Sequence, residues 1–142
     1  MKKILIVNAN YYGKITKNLL INTKKILQKK SFKLSVIDVP GVLEIPFTIS
    51  KYIKKFDAFV VLGCVIKGET PHFDLICKST FYSLSNISIN FKKPIGNGII
   101  TALNMSQAKE RSSINSVTAK RNKGSEAAKA VISILTNEPK KT

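Results

Sequence analysis

The chain has one histidine, His72, and it stands in the run G-C-V-I-K-G-E-T-P-H-F-D over residues 63–74. An imidazole can take or give protons at neutral pH. Just before it, Gly68, Glu69 and Thr70 lead from an apolar run into a helix start. Backbone N–H groups at such a start attract anions with help from the helix dipole, and glycine lets the backbone come close. These residue types suit a phosphate cradle beside a proton carrier. They also suit an ordinary helix start with a histidine packed on its first turn, and spacing alone leaves both readings open. Tyr11, Glu44 and Arg111 fall on other loops, and each has an equally plain explanation. Tyr11 could be a simple loop aromatic, Glu44 a helix-start carboxylate favoured by the dipole, and Arg111 an ion-pair partner of Glu110.

The elements that must position these residues alternate along the chain. Strands are expected over 2–7, 32–39, 58–63 and 94–101, the third continuously apolar as a strand covered on both faces would be. Helical spacing appears over 15–30, 43–55, from Thr70 and Pro71 to about Asn86, over 106–112 and over 125–135. Thr70 is expected to cap its helix with Pro71 at the first helical position, and Ser106 to cap the next. Residues 64–71 read as a loop. Alternating strands and helices imply parallel strands joined by crossovers, hence a three-layer α/β/α sandwich on a four-stranded parallel sheet, flavodoxin-like. In such sheets ligands bind beyond the carboxyl ends of the strands. That places 8–14, 40–44, 64–72 and the stretch after Ile100 at the functional edge.

Composition bounds the rest. A chain of 142 residues with 44% apolar content suits one compact domain, residues 1–142, with a real core. No apolar run approaches the roughly 20 residues needed to span a bilayer. The opening Met-Lys-Lys and Ile4–Val7 read as a buried strand rather than a signal segment, which leads us to expect a cytoplasmic protein. Cys64 and Cys77 fit no metal spacing and are expected to be reduced, packed thiols. The net charge of +16 invites a nucleic-acid reading. However, only Arg111 and Arg121 of the 24 basic residues are arginines, and the lysines are scattered along the chain. Base readers lean on arginine, so no specific nucleic-acid partner is expected.

Taken together, the loops resemble one family, lumazine synthase. The blocks are V-P-G-V-L-E-I-P at 39–46, L-G-C-V-I-K-G-E-T-P-H-F-D at 62–74, P-I-G-N-G-I-I-T at 94–101 with Q-A-K-E-R at 107–111, and N-K-G-S-E-A-A at 122–128. They cover almost the whole chain in the family's order. The resemblance implies a transferase of riboflavin biosynthesis. It would join 5-amino-6-(ribitylamino)uracil to 3,4-dihydroxy-2-butanone 4-phosphate without a metal or other cofactor. It also implies roles. Gly68, Glu69 and Thr70 would cradle the phosphate and Arg111 would clamp the same anion. His72 would move the protons. Tyr11 would stack on the pyrimidinedione, and Val42, Leu43 and Glu44 would line the ribityl pocket. Cys64, Val65 and Ile66 would meet the ring edge through their backbone, and Lys123 would reach the polyol. Asn97 stands where many members place a phenylalanine that contacts the ligand across a subunit boundary. Asn10, Tyr12 and Leu43 are further departures, which bear on ring contacts.

The resemblance further implies a homo-pentamer with active sites between adjacent subunits. Some members build closed icosahedral shells. This chain has several more residues between Arg111 and Lys123 than the compact shell-forming pattern, so a free pentamer is expected. Two other readings compete: a non-catalytic relative that binds flavin or lumazine without turnover, and a basic nucleic-acid-binding module whose affinity would fall steeply with salt.

Overall fold

The computed structural model describes residues 1–114 and 121–142. Its strands are β1 (Lys3–Ala9), β2 (Lys33–Val39), β3 (Ala58–Ile66) and β4 (Ile95–Ala102). They form one sheet in the order β2-β1-β3-β4, and every pair is parallel. The helices are α1 (Gly13–Leu27), α2 (Ile45–Tyr52), α3 (His72–Phe91), α4 (Met105–Arg111) and α5 (Lys123–Thr136).

Strand side chains alternate between two cores, as the period of two requires. Ile4 and Ile6 of β1 join Val60, Leu62 and Cys64 of β3 against α1, α4 and α5, through Leu19, Ala108, Ala127 and Val131. Leu5, Val7 and Ala9 join Phe59, Val61 and Val65 against α2 and α3, through Ile45, Ile49 and Leu84. The sheet is therefore the middle layer of three, as the alternating pattern implies. Among the described residues no helix is long and apolar enough to cross a membrane.

The local differences from expectation have physical causes. β3 does not stop at Gly63. Cys64, Val65 and Ile66 continue it, because β4 supplies Ile100, Thr101 and Ala102 as register partners. The single helix expected over 43–55 is divided. Val42–Glu44 forms a 3₁₀ turn, and α2 ends at Tyr52. Thr70 is not the formal cap of α3. Pro71 holds that position, although the Thr70 hydroxyl still accepts the His72 N–H at 3.4 Å. α3 runs on to Phe91 and is stopped by Lys92 in the left-handed conformation. Asn104, not Ser106, caps α4. Its Oδ1 accepts the Gln107 N–H at 2.9 Å, and Gln107 Oε1 in turn accepts the Leu103 N–H at 2.8 Å.

α5 is fixed at its start by Asn122, which is fully buried. Its Oδ1 accepts the Ser125 N–H at 3.1 Å, and its Nδ2 donates to the Ser113 carbonyl at 3.2 Å. One amide thus caps α5 and ties it to the chain leaving α4. Gly124 lets this helix start close on α1, since a Cβ there would lie 2.6 Å from Thr23 Oγ1 and against the Leu19 carbonyl. Gly124→Ala is expected to destabilise the fold by about 1–3 kcal/mol through overpacking. Urea unfolding of the variant and the parent measures it.

Candidate active site

Two clefts hold most of the expected side chains, one at the carboxyl edge of the sheet and one along the open side of β4. The first, of about 310 Å³, lies beyond β1 and β3 and is walled by Tyr11, Val42, Leu43, Glu44, Cys64 and His72, with Val65 and Ile66 at its floor. Eight of the expected site residues therefore meet in one place. Each arrives by a traceable route. Gly63 has no side chain, and a Cβ there would sit 2.6 Å from Val42 Cγ1, so the Val42–Glu44 turn can lie down on β3. The turn is then held from α2, where the Thr48 hydroxyl donates to the Glu44 carbonyl at 2.8 Å. Leu43 and Glu44 project from it and are exposed. Tyr11 is 76% exposed and meets Tyr12 edge to face at 5.0 Å, which fixes the ring at the rim. His72 is exposed on the first turn of α3, open to a ligand.

The polar character of the first cleft is set by burial. Desolvation pushes the Cys64 thiol from its usual 9.0 up to about 11. Tyr12 is raised too, first by burial and then by Tyr11 and Cys64. At neutral pH both groups are uncharged, and Tyr11, Glu44 and His72 are the other ionisable side chains facing this space.

The second cleft, of about 590 Å³, is lined by Asn97, Ile99, Ile100 and Thr101 of β4, by Phe81 of α3, and by Gln107, Glu110, Arg111, Arg121, Lys123 and Glu126. β4 is an edge strand, so this space wraps around the open side of the sheet and touches both helical layers. Asn97 faces it with its Oδ1 already engaged by the Ile99 N–H at 3.0 Å. Glu110 does not pair with Arg111. It accepts from Arg121 Nη1 at 2.6 Å, and Lys123 reaches Glu126 at 3.4 Å.

The expected site is thus divided. The two clefts have no lining residue in common, and Arg111, Lys123 and Asn97 stand apart from His72 and Tyr11. Gly68, Glu69 and Thr70 line neither space; all three are exposed on the rim leading to His72. Within one chain, Arg111 and the Gly68–Thr70 run do not close on a single anion site. The walls also include Ile76, Gln107, Arg121 and Glu126, to which the sequence assigns no role, and Tyr12, which stands there only as a departure from the family pattern. Gln107 and Glu126 stand in blocks that carry the resemblance, and Arg121 is the second of the chain's two arginines. The extra length between Arg111 and Lys123 falls largely on 115–120, outside the described residues.

A doubly covered parallel sheet with a cleft over its carboxyl edge defines a ligand-binding α/β protein. The chain belongs to a particular family of that class: the family profile for 6,7-dimethyl-8-ribityllumazine synthase matches residues 1–138. Similar curated proteins carry the same name. One from Corynebacterium kroppenstedtii is 38% identical over 130 residues, covering 92% of this chain and 80% of its own. One from Bartonella bacilliformis is 37% identical over 136 residues, covering 93% and 87%.

The raised Cys64 thiol has a measurable consequence. A folded-state value above the ordinary one means that its contribution to stability is complete below pH 9.0 and is lost as the pH climbs to about 11. Stability is expected to decline over that window less steeply in Cys64→Ala than in the parent. Alkylation at pH 8 should modify Cys64 more slowly than a free cysteine.

Proposed function

We propose that the chain is a transferase that condenses 5-amino-6-(ribitylamino)uracil with 3,4-dihydroxy-2-butanone 4-phosphate. The products are 6,7-dimethyl-8-ribityllumazine, inorganic phosphate and water. The observation that carries this reading is the division of the site. A cleft with an aromatic rim, a carboxylate and the only histidine lies on one part of the surface. A cleft with three cations lies around the open edge of β4.

In this reading the heterocycle stacks on Tyr11 and meets the β3 backbone at Cys64, Val65 and Ile66. Its ribityl hydroxyls turn toward Val42, Leu43 and Glu44, which accepts from them. The amine and the ketone condense to an imine with loss of water. Phosphate then leaves, the second nitrogen closes the ring, and a second water departs. His72 accepts and returns protons through these steps from the end of α3, where nothing obstructs its ring. Phosphate is met by the Gly68–Thr70 backbone and by Arg111.

Because the two clefts are separate on one chain, the complete site is formed when the second cleft of one copy closes over the first cleft of its neighbour. Asn97 and Lys123 then reach the ligand from across the boundary. A cyclic homo-pentamer, free rather than built into a shell, and a cytoplasmic location belong to the same reading.

Mixing both substrates with purified protein should generate a fluorescent lumazine. His72→Ala is expected to lower kcat by about 10²-fold while pyrimidine binding persists. Arg111→Ala is expected to act chiefly through KM for the phosphate-bearing substrate. Normal rates in both variants would overturn these roles, and flavin binding without product would mark a non-catalytic relative. Analytical ultracentrifugation should give a single species of pentamer mass, whereas a megadalton particle would refute the free pentamer.

A further inference from the structure

Arg121 lines the same cleft as Arg111 and Lys123, opposite Glu110 and Glu126. Three cations therefore face two carboxylates. Both carboxylates are taken, Glu110 by Arg121 and Glu126 by Lys123. Arg111 is left as the guanidinium without a carboxylate partner among the described residues. A phosphate monoester carries close to two negative charges at neutral pH, more than one guanidinium balances.

The Arg121–Glu110 pair is arranged so that it can be exchanged. The two side chains are 72% and 48% exposed. An ion pair so open to water contributes little and is screened by salt. A phosphate offers the planar guanidinium fork a bidentate match and three acceptor oxygens. The backbone at this point is meanwhile held in place. Arg121 directly precedes Asn122, whose buried amide is bonded to Ser113 and Ser125. The exchange needs only the side chain to move.

We propose that Arg121 is a second phosphate-binding cation of this cleft, stored on Glu110 while the cleft is empty and transferred to the substrate's phosphate on binding. This rests on the reaction proposed above. Glu110 is then an internal competitor that the anion must displace. A dianion outbids it more readily than a monoanion does, so the pair biases the cleft toward phosphate esters over carboxylates.

The test compares Arg121→Ala, Arg121→Lys, Glu110→Gln and Arg111→Ala with the parent protein. Arg121→Ala is expected to raise KM for the phosphate-bearing substrate about tenfold, the scale of a charged hydrogen bond, with KM for the pyrimidine unchanged. Inhibition by inorganic phosphate should weaken in step, and Arg121→Lys should recover part of both. Glu110→Gln should shift both constants the other way. If Arg111→Ala alters them and Arg121→Ala does not, the second cation is overturned while the reaction stands. Calorimetric titration with inorganic phosphate reads the same question without turnover, so it holds even if no product forms. Reduced affinity in Arg121→Ala supports the assignment. Equal affinity in that variant, or no uptake by the parent, overturns it.

Discussion

The peptide groups of β3 set the terms for the rest of the molecule. Eight of its nine residues, Ala58 to Val65, are buried. Buried N–H and C=O groups must find partners, so β3 has to be flanked on both sides, and β1 and β4 take those places. Its apolar side chains point up and down in alternation, so both faces need a helical cover. A strand covered on two faces and paired on two edges leaves only its carboxyl end free to meet a ligand. The first cleft lies beyond that end, and the second lies around the open side of β4.

From this follows the division of labour between the two clefts. Side chains past the end of β3 divide between the layers. The Val42–Glu44 turn leans in from the α2 side, and α4 and α5 carry their charges around β4 on the other. The first cleft has an exposed aromatic rim, with Glu44 and His72 on its walls and the Cys64 and Tyr12 groups raised by desolvation. The second is open and charged, and its ion pairs are wet. In the proposed reaction a flat heterocycle and a phosphate make opposite demands of their surroundings, and the two clefts offer them different ones.

Much of the scaffold was legible in the sequence because burial imposes periodicity. The four strands, the order of elements and the two-sided cover of β3 all follow from apolar spacing. The expected end at Gly63 nevertheless falls three residues short of the observed end at Ile66. Gly63 does not end the strand; its bare Cα makes room for Val42. The caps of α3 and α4 were misplaced by a residue or two, because Thr70, Ser106 and Asn104 are all competent acceptors and only the local backbone path decides among them. The candidate residues came from the family resemblance, and eight of them line the first cleft. Their separation into two clefts was not legible. It depends on β4 being an edge strand and on α4 and α5 lying across from α2, which are relations between distant segments. Arg121 escaped notice for a related reason, since its meaning comes from Glu110, eleven positions earlier.

The Asn122 amide has one more implication. By joining Ser113 to Ser125 it closes the chain path between α4 and α5 at its base, independently of whatever lies between. Loop closure depends only weakly on the number of residues enclosed. Changes in the length of that interval therefore carry only a small closure cost, while the Asn122 bonds hold its two ends together. The junction is a clasp that joins the two flanks directly, so their connection does not run only through the interval between them.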